Sequence, residues 1–385
     1  MIESLKRKEE KEKNFRDIYD GIKPARIPIH IQVAHEAAIE YCQLDLKKTQ
    51  WDIGAYPSYL EPVCNELIDA DGFPISMNVR IAAMYQMLDA KSFVMSSSGV
   101  LQHPETHSME QDEYDEFIAD PYAFMLEKAV PRIYRGLDGN PHQAALNLTK
   151  AFAAFEDYKK AQLMTMGKLS AQCGFANYPT GGVTEAPYDF VADLLRSFSG
   201  ISLDIRRCPE KIAEACEAIL PYMKKCAVSK MSSNYGRTMI PIHMPAFMNT
   251  KQFEKYWWPS FYKLIEYIVE SGSNCWLLLQ GDMMRYIEYL NELPGRQEIR
   301  HEAGDMKDVV ERTSTKHIIS GIYPVTMLQT ATKTECIDYA KTIIDVMGVN
   351  GNYIFNFDKP ILSFTGNTME NLQAVLKTVR EYGKY

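Results

Sequence analysis

MIPIHMPAF at 239–247 and NCWLLLQGD at 274–282 flank KQFEKYWWPSFYKLIEYIVESG at 251–272, and RYIEYLNELP at 285–294 then leads to RQEIRHEAGD at 296–305. The apolar runs 239–242 and 276–279 are short and bounded by polar or turn residues, and the stretch between them has helical spacing. Short buried strands alternating with helices predict a parallel sheet with crossover connections. Each run also ends in groups able to do chemistry: His243, then Gln280 and Asp282, then His301, Glu302 and Asp305. In a barrel of alternating strands and helices, side chains leaving successive strand ends converge on one mouth. An active site is therefore expected there. Taken singly, such residues also serve as caps, and Gly281–Asp282 before MMRYIEYLNEL reads equally as a turn and an N-cap.

The rest of the chain extends the alternation. IPIHIQ at 27–32 reads as a first strand with His30 and Gln32 near its end, and Asp71–Gly72 marks a turn before FPISMNV. The segment 96–120, rich in turn formers and carrying His103 and His107, is expected to be a long loop or lid over the mouth. Asp120–Pro121 opens helices that run to about 167. Gly181–Gly182 suits a tight turn or a close approach to a ligand. Beyond the central stretch, KHIISGIYP (316–324) and NYIFNFDKP (352–360) are strands, the latter ending in Asp358 and Lys359. Helices start at Pro209 and Thr332, and the last one stops at Gly383.

Composition sets limits on partners. The 385 residues are 46% hydrophobic and 24% charged, as in an ordinary globular protein. A net charge of -8 argues against nucleic acid as the main partner. No run of eighteen apolar residues exists to span a membrane. Residues 1–23 form a charged leader, expected to be an exposed helix, with no apolar signal-peptide core. The 8 cysteines contain no CxxC pair, so a reducing cytoplasm is expected. With no repeat and no low-complexity linker, residues 1–385 are read as one domain, and a dimer is the commonest assembly for such a chain.

PARIP (24–28), EYDEFIADP (113–121), EAPYDFVADLLRSFSG (185–200) with its Arg196, FEKYWWP (253–259), LLLQGD (277–282), SGIYPVTML (320–328) and MENLQAVLKTVREYG (369–383) occur in that order. Together they resemble the uroporphyrinogen decarboxylase superfamily. The likeness is nearest to its corrinoid-dependent methyltransferases, which include O-demethylases of methoxylated aromatics and methylcobalamin:coenzyme M methyltransferases. This resemblance implies an α/β fold, a single (β/α)8 TIM barrel with N-terminal helical additions and the loop over its mouth. It also implies methyl transfer from a small methylated compound, with a methoxylated aromatic favoured, to the reduced cobalt of a separate corrinoid (cobalamin) protein. The decarboxylase itself is not supported, because PIHIQVAHEAA (28–38) lacks that enzyme's arginines.

Members of this branch generally bind zinc through a histidine and cysteine two apart before a glycine, with a second cysteine near the last strand. Here the matching positions are Leu278 and Gln280, and the last strand offers Asp358 and Lys359. His243, Asp282, His301, Glu302 and Asp358 could supply a nitrogen and oxygen set instead, and zinc is left open. The chemistry needs a proton or Lewis acid beside the leaving atom. His243 is the first candidate as acid or ligand, with Asp282 and Glu302 as its partners. His30, Met244, Gln280, His301, Tyr323 and Asp358 are candidates for holding substrate. Met248, Phe247, Trp257, Trp258, Met283 and Met284 could wall a flat substrate or simply form core. Two other readings stand beside the methyltransferase: a zinc-less accessory or binding protein of such a system, and a decarboxylase-like lyase.

Overall fold

The computed structural model describes residues 2–178 and 180–385. Six strands, Gly182–Val183, Thr238–Ile242, Cys275–Leu279, Glu298–His301, Ile318–Tyr323 and Tyr353–Phe357, form one sheet in chain order, and every neighbouring pair is parallel. The crossovers between them carry the helices Trp258–Glu270, Ile287–Glu292, Met306–Arg312 and Lys333–Met347. The strand ends expected at 243, 280 and 301 are therefore neighbours along one edge.

Single parallel bridges continue the pattern past the last strand: Ile29 to Phe355, Val33 to Ile361 and to Ile75, and Gly72 to Ala176. The 27–33 segment thus occupies a strand's place without a continuous ladder. Its side chains still alternate as a strand's do. Ile27, Ile29, Ile31 and Val33 are fully buried, whereas His30 stacks toward Trp276 at 5.0 Å.

The two faces of the sheet have different chemistry, because successive side chains point to opposite sides. One face packs on helices: the Tyr323 hydroxyl donates to the Cys336 carbonyl at 3.0 Å, and Phe355 and Phe357 crowd the same ring. On the other, Glu298 accepts from Ser320 at 3.2 Å, and Arg300 reaches across to Phe357.

The leader forms the helix Ile2–Tyr19, as expected, but it is not merely exposed. Phe15, Ile18 and Tyr19, at helical spacing, are buried with Ala176, Ile318 and Ile354, and Tyr19 donates to Glu298 at 3.4 Å. Its last turn therefore packs under the sheet.

Glycines permit the closest backbone approaches. A Cβ on Gly181 would lie 2.0 Å from the Gly236 carbonyl oxygen, and one on Gly182 would lie 2.1 Å from that of Ala227. The pair serves packing between the sheet and its neighbours. At Gly321, φ is +92° and a Cβ would meet the His301 carbonyl oxygen at 2.2 Å, so only glycine fits.

The segment 96–120 is more ordered than a plain loop. Val94–Met95 and Leu101–Gln102 pair as an antiparallel hairpin, an extended run follows, and Tyr114–Ala119 is helical. Ser108 and Met109 donate backbone N–H groups to the Leu195 carbonyl at 2.8 and 3.0 Å. Arg196 binds the Met109 carbonyl and pairs with the buried Asp204 at 2.6 Å. The extended run is thereby fastened to the helical segment 187–207. Among the described residues, no helix is long and apolar enough to cross a membrane.

Candidate active site

His243 stands directly after the strand Thr238–Ile242. Its Nε2 lies 2.6 Å from Asp193 Oδ2, and its Nδ1 lies 3.5 Å from Asp189 Oδ1 without a hydrogen-bond partner. Asp189 is completely buried. It accepts N–H bonds from the His243 and Met244 backbone at 3.1 and 3.2 Å and from Trp257 Nε1 at 2.5 Å. Three donors offset much of the cost of burying its charge. They also fix the strand end to the helix.

Both aspartates come from one segment. Asp189 lies in the helix Pro187–Phe190 and Asp193 in the π-helical turn Val191–Arg196. Glu185, four residues before Asp189, has a buried Oε2 with no partner. Burial, then the charges of Asp193 and Asp189, raise its pKa to about 7. For His243, burial favours the neutral ring, but the hydrogen bond to Asp193 and the charges of Asp189, Asp193 and Glu185 outweigh it and raise the pKa to about 9. The imidazole is therefore a cation at neutral pH. His103, stacked on Phe93 at 4.6 Å, lies within electrostatic reach of Asp193 and His243; burial first, and the nearby Arg80, lower its pKa.

The other candidates occupy separate places along the same edge. Asp282 caps its own turn, accepting from Met284 N at 2.9 Å. Glu302 accepts from Gly281 N and pairs with Lys359 at 3.0 Å. Gln280 is exposed. Asp358 accepts from Val325 N at 2.8 Å and Lys359 N at 2.7 Å. Met244 is buried beside His243. His301 is buried and His30 half-buried, each with one buried ring nitrogen unpartnered, and desolvation lowers both to about 4. Tyr323 faces a helix through its bond to Cys336. Trp257 is core and also a donor to the site, whereas Phe247, 67% exposed, packs edge-on against Phe198 at the rim.

His243 is thus brought to Asp189 and Asp193, not to Asp282 or Glu302. Those partners were legible in principle: Glu185, Asp189 and Asp193 are four residues apart, the spacing of one helical face. Among the described residues, no group of three or more His, Cys, Asp or Glu side chains is arranged to hold a metal ion, so the nitrogen and oxygen set considered for zinc does not assemble.

No protein-family model and no curated protein matches the sequence. The structure is similar to a methyltransferase from Methanosarcina mazei, with a TM-score of 0.62 at 13% identity, over 97% of this chain and 98% of that one. At that identity the likeness shows a shared mixed α/β fold built around the parallel sheet, end to end.

Proposed function

We propose that the chain is a methyltransferase that takes a methyl group from a small methoxylated aromatic and passes it to the reduced corrinoid of a separate protein. The observation that carries this reading is His243, held as an imidazolium by Asp193 at 2.6 Å at a strand end. The family resemblance of the ordered motifs and the full-length likeness to a methyltransferase support it.

The residues act on the leaving group. Breaking a methyl–oxygen bond puts negative charge on the departing oxygen, and a positioned acid removes that cost. Nδ1 is buried against Asp189, so the proton for it is the Nε2–H now shared with Asp193. Asp193 keeps the ring charged. Asp189 fixes the backbone that carries it and is itself fixed by Trp257. The partner's reduced corrinoid supplies the nucleophile that accepts the methyl group. Phe247 and Phe198, exposed together and packed edge-on, offer an apolar patch toward such a ring.

In this reading the single bridges at Ile29, Val33 and Gly72 complete a closed (β/α)8 barrel, the chain is one domain, and it works in the cytoplasm. Protonation by His243 takes the role that zinc would otherwise fill. The test is to mix the protein with reduced cobalamin and a panel of methoxylated benzenes, following consumption of the reduced corrinoid by absorbance. Transfer that falls about 10²- to 10⁴-fold in His243→Ala agrees with an acid role. No transfer from any donor by the unaltered protein would sink this reading in favour of an accessory protein or a lyase.

A further inference from the structure

Arg300 lies on the strand Glu298–His301 and is 4% exposed. Its guanidinium reaches past the neighbouring strand to the ends of others. Nε donates to the Phe357 carbonyl at 3.1 Å, Nη2 to the Asp358 carbonyl at 2.9 Å, and Nη1 to Gln32 Oε1. All three acceptors are neutral.

Among the described residues no carboxylate stands within ion-pairing distance of it. The acids nearby are engaged elsewhere. Glu302 is paired with Lys359, Asp358 caps backbone N–H groups, and Glu298 accepts from Ser320 and Tyr19. Arginine has five N–H donors, so two remain, one on each terminal nitrogen. A buried charge without a counter-charge is costly and is seldom left so. Burial, only partly offset by Asp358, Glu298 and Glu302, lowers Arg300 to about 10.

The neighbourhood holds a second unpaired donor. Asn356 is fully buried, its Oδ1 accepts from Phe357 N, and its Nδ2 has no partner. Asn356 and Arg300 thus both bond to Phe357, on its N–H and its carbonyl respectively. His30, within electrostatic reach of Arg300, is kept neutral by burial first and by that charge second. Two N–H groups of Arg300 and the amide of Asn356 exceed the acceptors beside them, of which the neutral His30 ring is one, as at a site lacking an anion.

We infer that Arg300 and Asn356 bind the carboxylate of the substrate, which makes the methyl donor a methoxylated aromatic acid rather than a neutral ether. This rests on the methyl-transfer reading for the donor's identity, but not for the binding of the carboxylate. Arg300 and His243 leave the same face of the sheet with one strand between theirs, and the guanidinium itself lies against the end of the last strand. The guanidinium's two free donors match the two oxygens of a carboxylate.

The test uses benzoate, which has no methyl group to give, alongside benzamide, 4-methoxybenzoate and 4-methoxybenzamide, each titrated calorimetrically into the full-length protein. The acids are expected to bind at least ten-fold more tightly than the amides. In Arg300→Gln this preference should vanish, and Arg300→Lys should retain part of it. Circular dichroism identifies a variant that fails to fold; Asn356→Ala, expected to weaken the acids selectively, then serves in its place. Equal binding of acid and amide by the unaltered protein overturns the inference. So does binding of neither, which leaves water in the space, or a preference that survives in both Arg300 variants. Arg300-dependent binding of benzoate without methyl transfer from 4-methoxybenzoate to reduced cobalamin would uphold the anion site and refute the methyl-transfer reading alone.

Discussion

Replacing Asp193 with asparagine keeps a hydrogen-bond acceptor beside His243 Nε2 and removes the charge. An opposite charge at this range moves a pKa by roughly one to three units, so His243 should fall by about that much from its value near 9. The stability consequence has a definite sign. His243 is raised on folding from an ordinary 6.5 to about 9. Its contribution is therefore fully present below pH 6.5 and is lost as pH rises through about 9. At 1.36 kcal/mol per unit this is roughly 3 kcal/mol at most, since the imidazole and Asp193 are 28% and 22% exposed. The asparagine variant should lose about half of it at pH 6 and almost none at pH 10. Carbon-detected NMR of the histidine ring, assigned with His243→Gln, reads the pKa, and urea unfolding at both pH values reads the stability. A His243 that titrates at or below 6.5 in the unaltered protein would refute the reasoning. So would one that Asp193→Asn leaves unmoved.

Trp257→Phe keeps the ring stack and deletes one of the three N–H donors to Asp189; a loss of about 1–3 kcal/mol in chemical unfolding is expected, and no loss would mean that Asp189 does not depend on the indole. Asp204→Asn strands the buried Arg196, which also holds the Met109 carbonyl. It should cost about 3–5 kcal/mol and open residues 103–110 to limited proteolysis, whereas an unchanged cleavage pattern would show that Arg196 does not fasten that segment. Gly321→Ala places a Cβ 2.2 Å from the His301 carbonyl oxygen at φ +92°. Destabilisation above roughly 2 kcal/mol is expected, and a melting temperature like the unaltered protein's would count against the close approach. If the methyl-transfer reading holds, its rate should decline as pH rises through about 9, where His243 loses its proton; a rate that stays level there would remove His243 as the acid.

The strands with compact apolar runs were legible because they are buried on a regular period. The runs at 239–242 and 276–279 lie inside strands of the structure, the strand read from KHIISGIYP ends at Tyr323 as placed, and that from NYIFNFDKP stops at Phe357, just before the Asp358 and Lys359 given as its end. Single bridges replace a ladder at 27–33, which local propensity does not reveal. At the third strand end the difficulty was the two-residue period. Glu298 and Arg300 share one face, which puts His301 on the other, so reading the histidine as the chemical group passed over the arginine beside it. His243 was found at its strand end, but its partners were sought among the neighbouring strand ends. They lie instead on a helix that precedes it by some fifty positions, interleaved with aromatic and apolar residues that read as core. Contacts of that kind depend on how the helix docks, and no periodicity carries that information.

Two of the helices around His243 contain a widened, π-helical turn, Val191–Arg196 beside Asp193 and Phe253–Trp257 ending at the indole donor. Such a turn holds one residue more than an α-helical turn, and each can be regarded as a single inserted amino acid that the helix absorbed without breaking. Upstream of the first, Asp189 is committed to His243 and Met244; at its end, Arg196 is committed to Asp204. Deleting one residue between them would restore ordinary winding and rotate one set against the other by about 100°. Chain length at this point is therefore as much a determinant of the site as residue identity, and a variant library built only from substitutions would never sample it.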